Sequence, residues 1–131
     1  MIVPALEAGG WVVCDRFTDS TIAYQGYGRG LALEELAALG RFALGEFAPD
    51  LTLVLDLPVT EGLSRAASRP GVADRFERLD REFHERLRAG FLAIAAAEPE
   101  RCVVIDATAS VDTVHRAIVR AVATRLGVAL E

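Results

Sequence analysis

Three short apolar runs constrain this chain most: residues 11–14 (Trp-Val-Val-Cys), 51–57 (Leu-Thr-Leu-Val-Leu-Asp-Leu) and 102–105 (Cys-Val-Val-Ile). Each is rich in β-branched residues and lacks polar alternation, the pattern of a strand covered on both faces, so the three read as parallel strands. Helical periodicity fills the gaps. Leu36, Leu39, Ala43 and Phe47 recur at steps of three and four, and Pro49-Asp50 is placed to stop that helix. A second helical pattern opens with Thr60 as N-cap and runs through Leu63 and Ala67 to the break at Arg69-Pro70-Gly71. Asp74 with Glu77 makes a capping-box-like start for the longest helix, whose stripe is Phe76, Leu79, Phe83, Leu87, Phe91 and Ile94, ending near Pro99. Ser110 caps a last helix striped by Val111, Val114, Ile118, Val122 and Leu126, with Gly127 as its C′ residue. The alternation of strand and helix predicts an α/β fold.

Charge narrows the function. Nineteen acidic residues against fourteen basic ones give a formal net charge of −5, so the chain carries no overall field for a nucleic-acid polymer. Every basic residue is Arg and none is Lys. That excludes a phosphate-loop lysine, a Schiff-base lysine and a lysine general base within these 131 residues. Cys14 and Cys102 each lie in an apolar run without metal-ligand spacing and read as buried structural thiols. No apolar segment approaches the roughly 20 residues needed to span a bilayer, and a cytoplasmic location with no membrane partner is expected.

Each run carries an aspartate at its end: Asp15 after run 11–14, Asp56 inside Leu-Val-Leu-Asp-Leu, and Asp106 after run 102–105. In open parallel sheets ligands gather outside the carboxyl ends of the strands, which points the three acids toward one region. Asp56 and Asp106 read as caps of the following turns. Asp15 differs because Arg16 follows it, setting a metal-capable carboxylate beside an anion-binding guanidinium. Beyond this pair the segment 15–30, DRFTDSTIAYQGYGRG, is the densest in ligand-type groups: hydroxyls at Thr18, Ser20 and Thr21, the phenol of Tyr24 and the amide of Gln25. If residues 20–25 are helical, Thr21, Tyr24 and Gln25 share a face. The amide of Gln25 both donates and accepts, as reading a nucleobase edge requires.

Seven arginines lie between positions 65 and 88. Arg78, Arg81, Arg86 and Arg88 are interleaved with acids and read as a solvated, salt-bridged helix face. Arg69 and Arg75 flank the Pro-Gly break, from which they could swing onto phosphates during transfer. His84 and His115 have no nucleophile at suggestive spacing and read as structural or exposed.

Taken in order, DRFTDSTIAYQGYGRG, APDLTLVLDLP, the Gly-Leu-x-Arg-Ala stretch at 62–66, ADRFE and VVIDA resemble bacterial thymidylate kinase nearly end to end. The resemblance implies a P-loop NTPase-like fold with a parallel sheet and flanking helices. It also implies transfer of the γ-phosphoryl of ATP, with Mg2+, to dTMP in a homodimeric enzyme. By the same resemblance Arg16 holds the acceptor phosphate and Asp15 lies near the metal, meeting it through water. Thr21 and Gln25 contact thymine, beside Ser20, and Tyr24 packs by the deoxyribose. Residues 68–77 form a mobile lid whose Arg69 and Arg75 reach the transferring phosphates. Phe17 occupies a variable position, and Tyr27 stands where relatives often have Gly.

One departure is large. The chain, read as a single partial domain over 1–131, lacks the first strand, the GxxxxGK[ST] loop and the second strand of that family. Without the phosphate cradle most of the catalytic apparatus is missing, so the expectation is an inefficient kinase when isolated. The resemblance would seat the missing strand between runs 11–14 and 51–57, leaving both to face an empty slot. Two other readings stand beside the leading one: a binding product that has lost catalysis, and a P-loop kinase for a different nucleoside or nucleotide.

Overall fold

The computed structural model describes residues 1–68 and 81–129. In chain order its elements are α1 (Ile2–Glu7), α2 (Thr18–Thr21), a π-helical stretch (Ile22–Gly28), α3 (Leu33–Leu44), β1 (Thr52–Asp56), α4 (Val59–Ala67), α5 (Arg81–Ala97), β2 (Cys102–Asp106) and α6 (Val111–Leu126). The two strands pair in parallel with Thr52 opposite Cys102 and Asp56 opposite Asp106. Helices α4 and α5 form the crossover between them, a βαβ unit of the kind the alternating pattern predicts.

The third expected strand is not formed. Residues 11–14 have no ladder partner among the described residues, and Val13 is 96% exposed. An apolar run becomes a strand only where a neighbour accepts and donates its main-chain hydrogen bonds, and no described strand lies beside this one. Cys14 is accordingly exposed, contrary to the buried thiol expected, while Cys102 is buried on β2 and burial pushes its thiol pKa up.

The core sits where the π-helical stretch crosses α5. Ala23, Phe83, Leu87 and Ile94 are buried together, with Ile22, Tyr24, Tyr27 and Phe91 packed around them. Two glycines permit the close approach. A Cβ on Gly28 would lie 2.7 Å from the Phe83 ring, and one on Gly90 would lie 2.6 Å from Tyr27. Each aromatic ring thus occupies the space over the other element's glycine. The stretch expected to be an ordinary helix over 20–25 instead starts as α2 and widens into the π form, which brings Ala23, Gly26 and Gly28 all inward.

Local signals elsewhere fared unevenly. Ser110 caps α6, its Oγ accepting from Thr113 N at 3.4 Å, and Gly127 closes the helix at φ 64°. Helix α3 ends at Gly45, φ 63°, before Pro49 is reached, so Phe47 lies beyond it. Helix α4 is preceded by Pro58 as its N-cap, and Thr60 sits inside its first turn. The capping-box start at Asp74 and Glu77 lies outside the described residues.

Candidate functional site

Run 11–14 leads into the predicted corner at Asp15 and Arg16. Both side chains are exposed, and Arg16 has φ 68°, a left-handed backbone that is rare for any residue carrying a bulky side chain. Its guanidinium carbon stands 5.3 Å from the centroid of the Tyr24 ring. Tyr24 in turn meets Phe83 and Phe91 edge-on, with centroids 6.1 Å and 6.5 Å away. The corner and the aromatic ring expected to share a ligand are therefore neighbours.

The remaining predicted groups are placed less uniformly. Gln25 is half-buried and its Oε1 accepts from Arg29 Nη1 at 3.2 Å, leaving its amide donors available. Thr21 is exposed and Ser20 half-buried. Arg69, Arg75 and most of the lid region at 68–77 lie outside the described residues.

A cavity of about 270 Å³ opens beside Tyr24, between the carboxyl end of β1, the start of α4 and one face of α5. It takes in Tyr24 but none of Asp15, Arg16, Ser20, Thr21 or Gln25. On its wall Asp56 accepts both Arg88 Nε at 2.6 Å and Arg88 Nη2 at 2.9 Å. This bidentate pair corrects two expectations: Asp56 does not cap a turn, and Arg88 does not belong to a solvated face. The hydrogen bonds from Arg88 hold the Asp56 carboxyl below the usual carboxylate range. Arg86 stays exposed as expected while its Nε donates to Gly28 O at 3.2 Å, and Arg81 pairs loosely with Glu85 as a surface residue does. Asp106 keeps its expected role, bonding Thr108 N at 2.9 Å and Thr108 Oγ1 at 2.6 Å, and those bonds lower its pKa. His84 lines the cavity with Nε2 buried and without a hydrogen-bond partner among the described residues, and His115 is exposed.

Sequence reasoning missed one cluster outright. Asp19, buried at 8% exposure, accepts Arg101 Nη1 at 2.8 Å and Nη2 at 3.0 Å. The same Nη1 donates to Thr52 Oγ1 at 2.7 Å, and Arg101 Nε donates to Glu98 at 2.9 Å. Partners so far apart in sequence leave no local signal, although an aspartate flanked by hydroxyls and a lone Arg just before an apolar run were both visible.

No group of three or more His, Cys, Asp or Glu among the described residues could hold a metal ion. No described helix is long and apolar enough to cross a membrane.

The parallel βαβ unit, with a cavity beside the carboxyl end of β1, defines an α/β architecture. A thymidylate kinase family model matches residues 1–118, and the chain belongs to the thymidylate kinase family. It is 52% identical over 128 residues to thymidylate kinase of Bradyrhizobium sp. (strain ORS 278), covering 96% of this chain and 57% of that one. It is 54% identical over 127 residues to the enzyme of Caulobacter vibrioides, covering 97% and 61% respectively. The crystal structure of thymidylate kinase from Ehrlichia chaffeensis superposes with a TM-score of 0.70 at 33% identity, over 93% of this chain and 54% of that one. The P-loop NTPase-like fold is thereby matched in part, and the chain spans about half the length of the curated relatives it matches.

Proposed function

We propose that this chain forms the acceptor side of a cytoplasmic, homodimeric dTMP kinase that transfers the γ-phosphoryl of ATP to dTMP. In that reaction an acceptor phosphate oxygen bonds to the γ-phosphorus while the bond from that phosphorus to the β–γ bridging oxygen breaks. The products are dTDP and ADP. The observation that carries the reading is the placement of Arg16 over Tyr24, in a segment where a charged fork and an apolar ring stand side by side. Such a pair suits a ligand with an anionic tail on a sugar. Arg16 neutralises the acceptor phosphate and fixes its direction, which phosphoryl transfer depends on most. Tyr24 packs against the deoxyribose. The free amide donors of Gln25 meet a thymine carbonyl, with Ser20 and Thr21 supplying hydroxyls. Arg69 and Arg75 act as lid arginines.

The residues here do not fit the triphosphate or its metal. Neither a lysine nor a GxxxxGK[ST] loop occurs in the sequence. Asp15 offers a single exposed carboxylate, which by the family resemblance would meet Mg2+ through water. The Arg16–Tyr24 pair taken by itself also suits one second reading, a chain that binds the monophosphate without turnover.

Calorimetric titration with dTMP and with thymidine tests the proposal. We expect dTMP to bind at least about tenfold more tightly than thymidine, and Arg16→Ala to remove that advantage, since a charge-assisted pair is worth roughly 1.5–3 kcal/mol. Equal binding of the two ligands, or an unaffected Arg16→Ala variant, overturns it. Conversion of dTMP by the chain alone would reject the binding-only reading.

A further inference from the structure

We infer that Arg101 is a positioning residue for the acceptor segment, clamping α2 to the sheet so that Arg16 and Tyr24 are held at one spacing. The inference rests on the proposed dTMP site. Arg101 lies at the start of β2, and its carbonyl accepts Thr52 N at 2.9 Å from the start of β1. Its base is thereby fixed by both strands. From there four of its five guanidinium donors are used: two on Asp19, one on Thr52 Oγ1 and one on Glu98. The side chains are well covered, Arg101 at 14% and Asp19 at 12% exposure. The bonds that Arg101 donates to Asp19, then to Glu98, raise its pKa, so its charge persists at any working pH.

Position along the chain gives the clamp its consequence. Asp19 lies between Arg16 and Tyr24 and is the only buried residue of α2, a four-residue helix without a side-chain cap. Tyr24 is already held by Phe83 and Phe91 of α5. On the Arg16 side the tertiary holds include the Phe17–Phe47 contact, centroids 6.0 Å apart, the Asp19–Arg101 fork and a bond from Thr52 Oγ1 to Asp19 Oδ2 at 3.4 Å. Loss of the fork would let Arg16 drift relative to Tyr24 while the π-helical stretch stays packed. A planar fork suits this task better than an ammonium group, because two parallel bonds fix direction as well as distance.

The test uses Arg101→Lys, which keeps the charge and loses the fork, with Arg101→Gln and Asp19→Asn beside it. Amide hydrogen exchange is expected to accelerate at least tenfold over residues 16–21 and to stay unchanged in the middle of α5. At a temperature where each variant is fully folded, the ratio of dTMP to thymidine affinity is expected to fall at least fivefold. A merely structural role lowers both affinities together and leaves the ratio intact, and that result overturns the inference. So does exchange that is unchanged or raised uniformly. Should the unaltered chain bind no dTMP, the proposed function fails on its own, and the clamp stands or falls on whether faster exchange is confined to residues 16–21. If Arg101→Gln does not fold, Arg101→Lys and Asp19→Asn carry the same comparison.

Discussion

Two stretches of this chain are nearly the same word and end in opposite states. Trp11-Val-Val-Cys and Cys102-Val-Val-Ile both precede an aspartate. The second pairs residue for residue with β1 and buries Cys102 and Ile105. The first has no described partner and leaves Trp11 64% and Val13 96% exposed. Composition therefore does not decide which run becomes a strand; a neighbour with free main-chain groups does. Helices repeat the contrast. Helix α5 is wedged against the π-helical stretch, while α3 has no buried residue and Phe42 stands 91% exposed. The candidate site lies along the seam, with Tyr24 rooted on the packed side and Arg16 on the bare one.

The largest effect that could break this comparison comes from trimming the two runs. Ile105→Ala removes a buried side chain of β2 and is expected to cost about 2–5 kcal/mol in urea unfolding. Val13→Ala removes a side chain already in water and should change stability by less than about 0.5 kcal/mol. Similar losses at both positions would mean that residues 11–14 are covered in solution, and sedimentation would then tell whether a second copy covers them.

Glycine substitutions sharpen the helical half of the contrast at a smaller scale. In Gly90→Ala the new methyl meets Tyr27 at 2.6 Å, and the overpacking is expected to cost about 1–3 kcal/mol. In Gly40→Ala the methyl, on α3, meets nothing within 4 Å, so the same change should stabilise by about 0.5–1 kcal/mol through helix propensity. Opposite signs for one chemical change would locate the packed side directly. Destabilisation at both would place a partner on α3.

What could be read from the sequence follows the same division. The βαβ unit and the caps of α6 were legible because their signals are local: apolar runs, an N-cap serine, a C′ glycine. Run 11–14 misled because β-branched content reports willingness to pair and says nothing about a partner. Arg88 could not be told from a solvated arginine because alternating charge on a helix looks alike whether one arginine meets water or the end of a strand. Asp56, buried in an apolar run, carried a clue that a cation must reach it. Likewise Gly90, within an apolar helix stripe, marked a close approach whose partner, Tyr27, no spacing rule supplies. The corner at Asp15 and Arg16 was legible as chemistry, but its left-handed backbone was not, since only the fold decides where φ turns positive.

That backbone supplies the smallest and most local test. Arg16 at φ 68° places its Cβ close to the following carbonyl, a crowding that costs an L-residue roughly 1–2 kcal/mol and glycine almost nothing. Arg16→Gly and Arg16→Ala both lose the guanidinium and its contact with Tyr24, so the difference between them isolates the backbone. We expect the glycine variant to be the more stable by about 1 kcal/mol after its larger unfolded-state entropy is counted, read as the gap between urea midpoints at equal slope. Both should lose the preference for dTMP over thymidine. Equal midpoints would show that the bare side of the seam relaxes out of the left-handed region in solution. The strain would then not be held there, and the contrast between a rooted Tyr24 and a fixed Arg16 would reduce to Tyr24 alone.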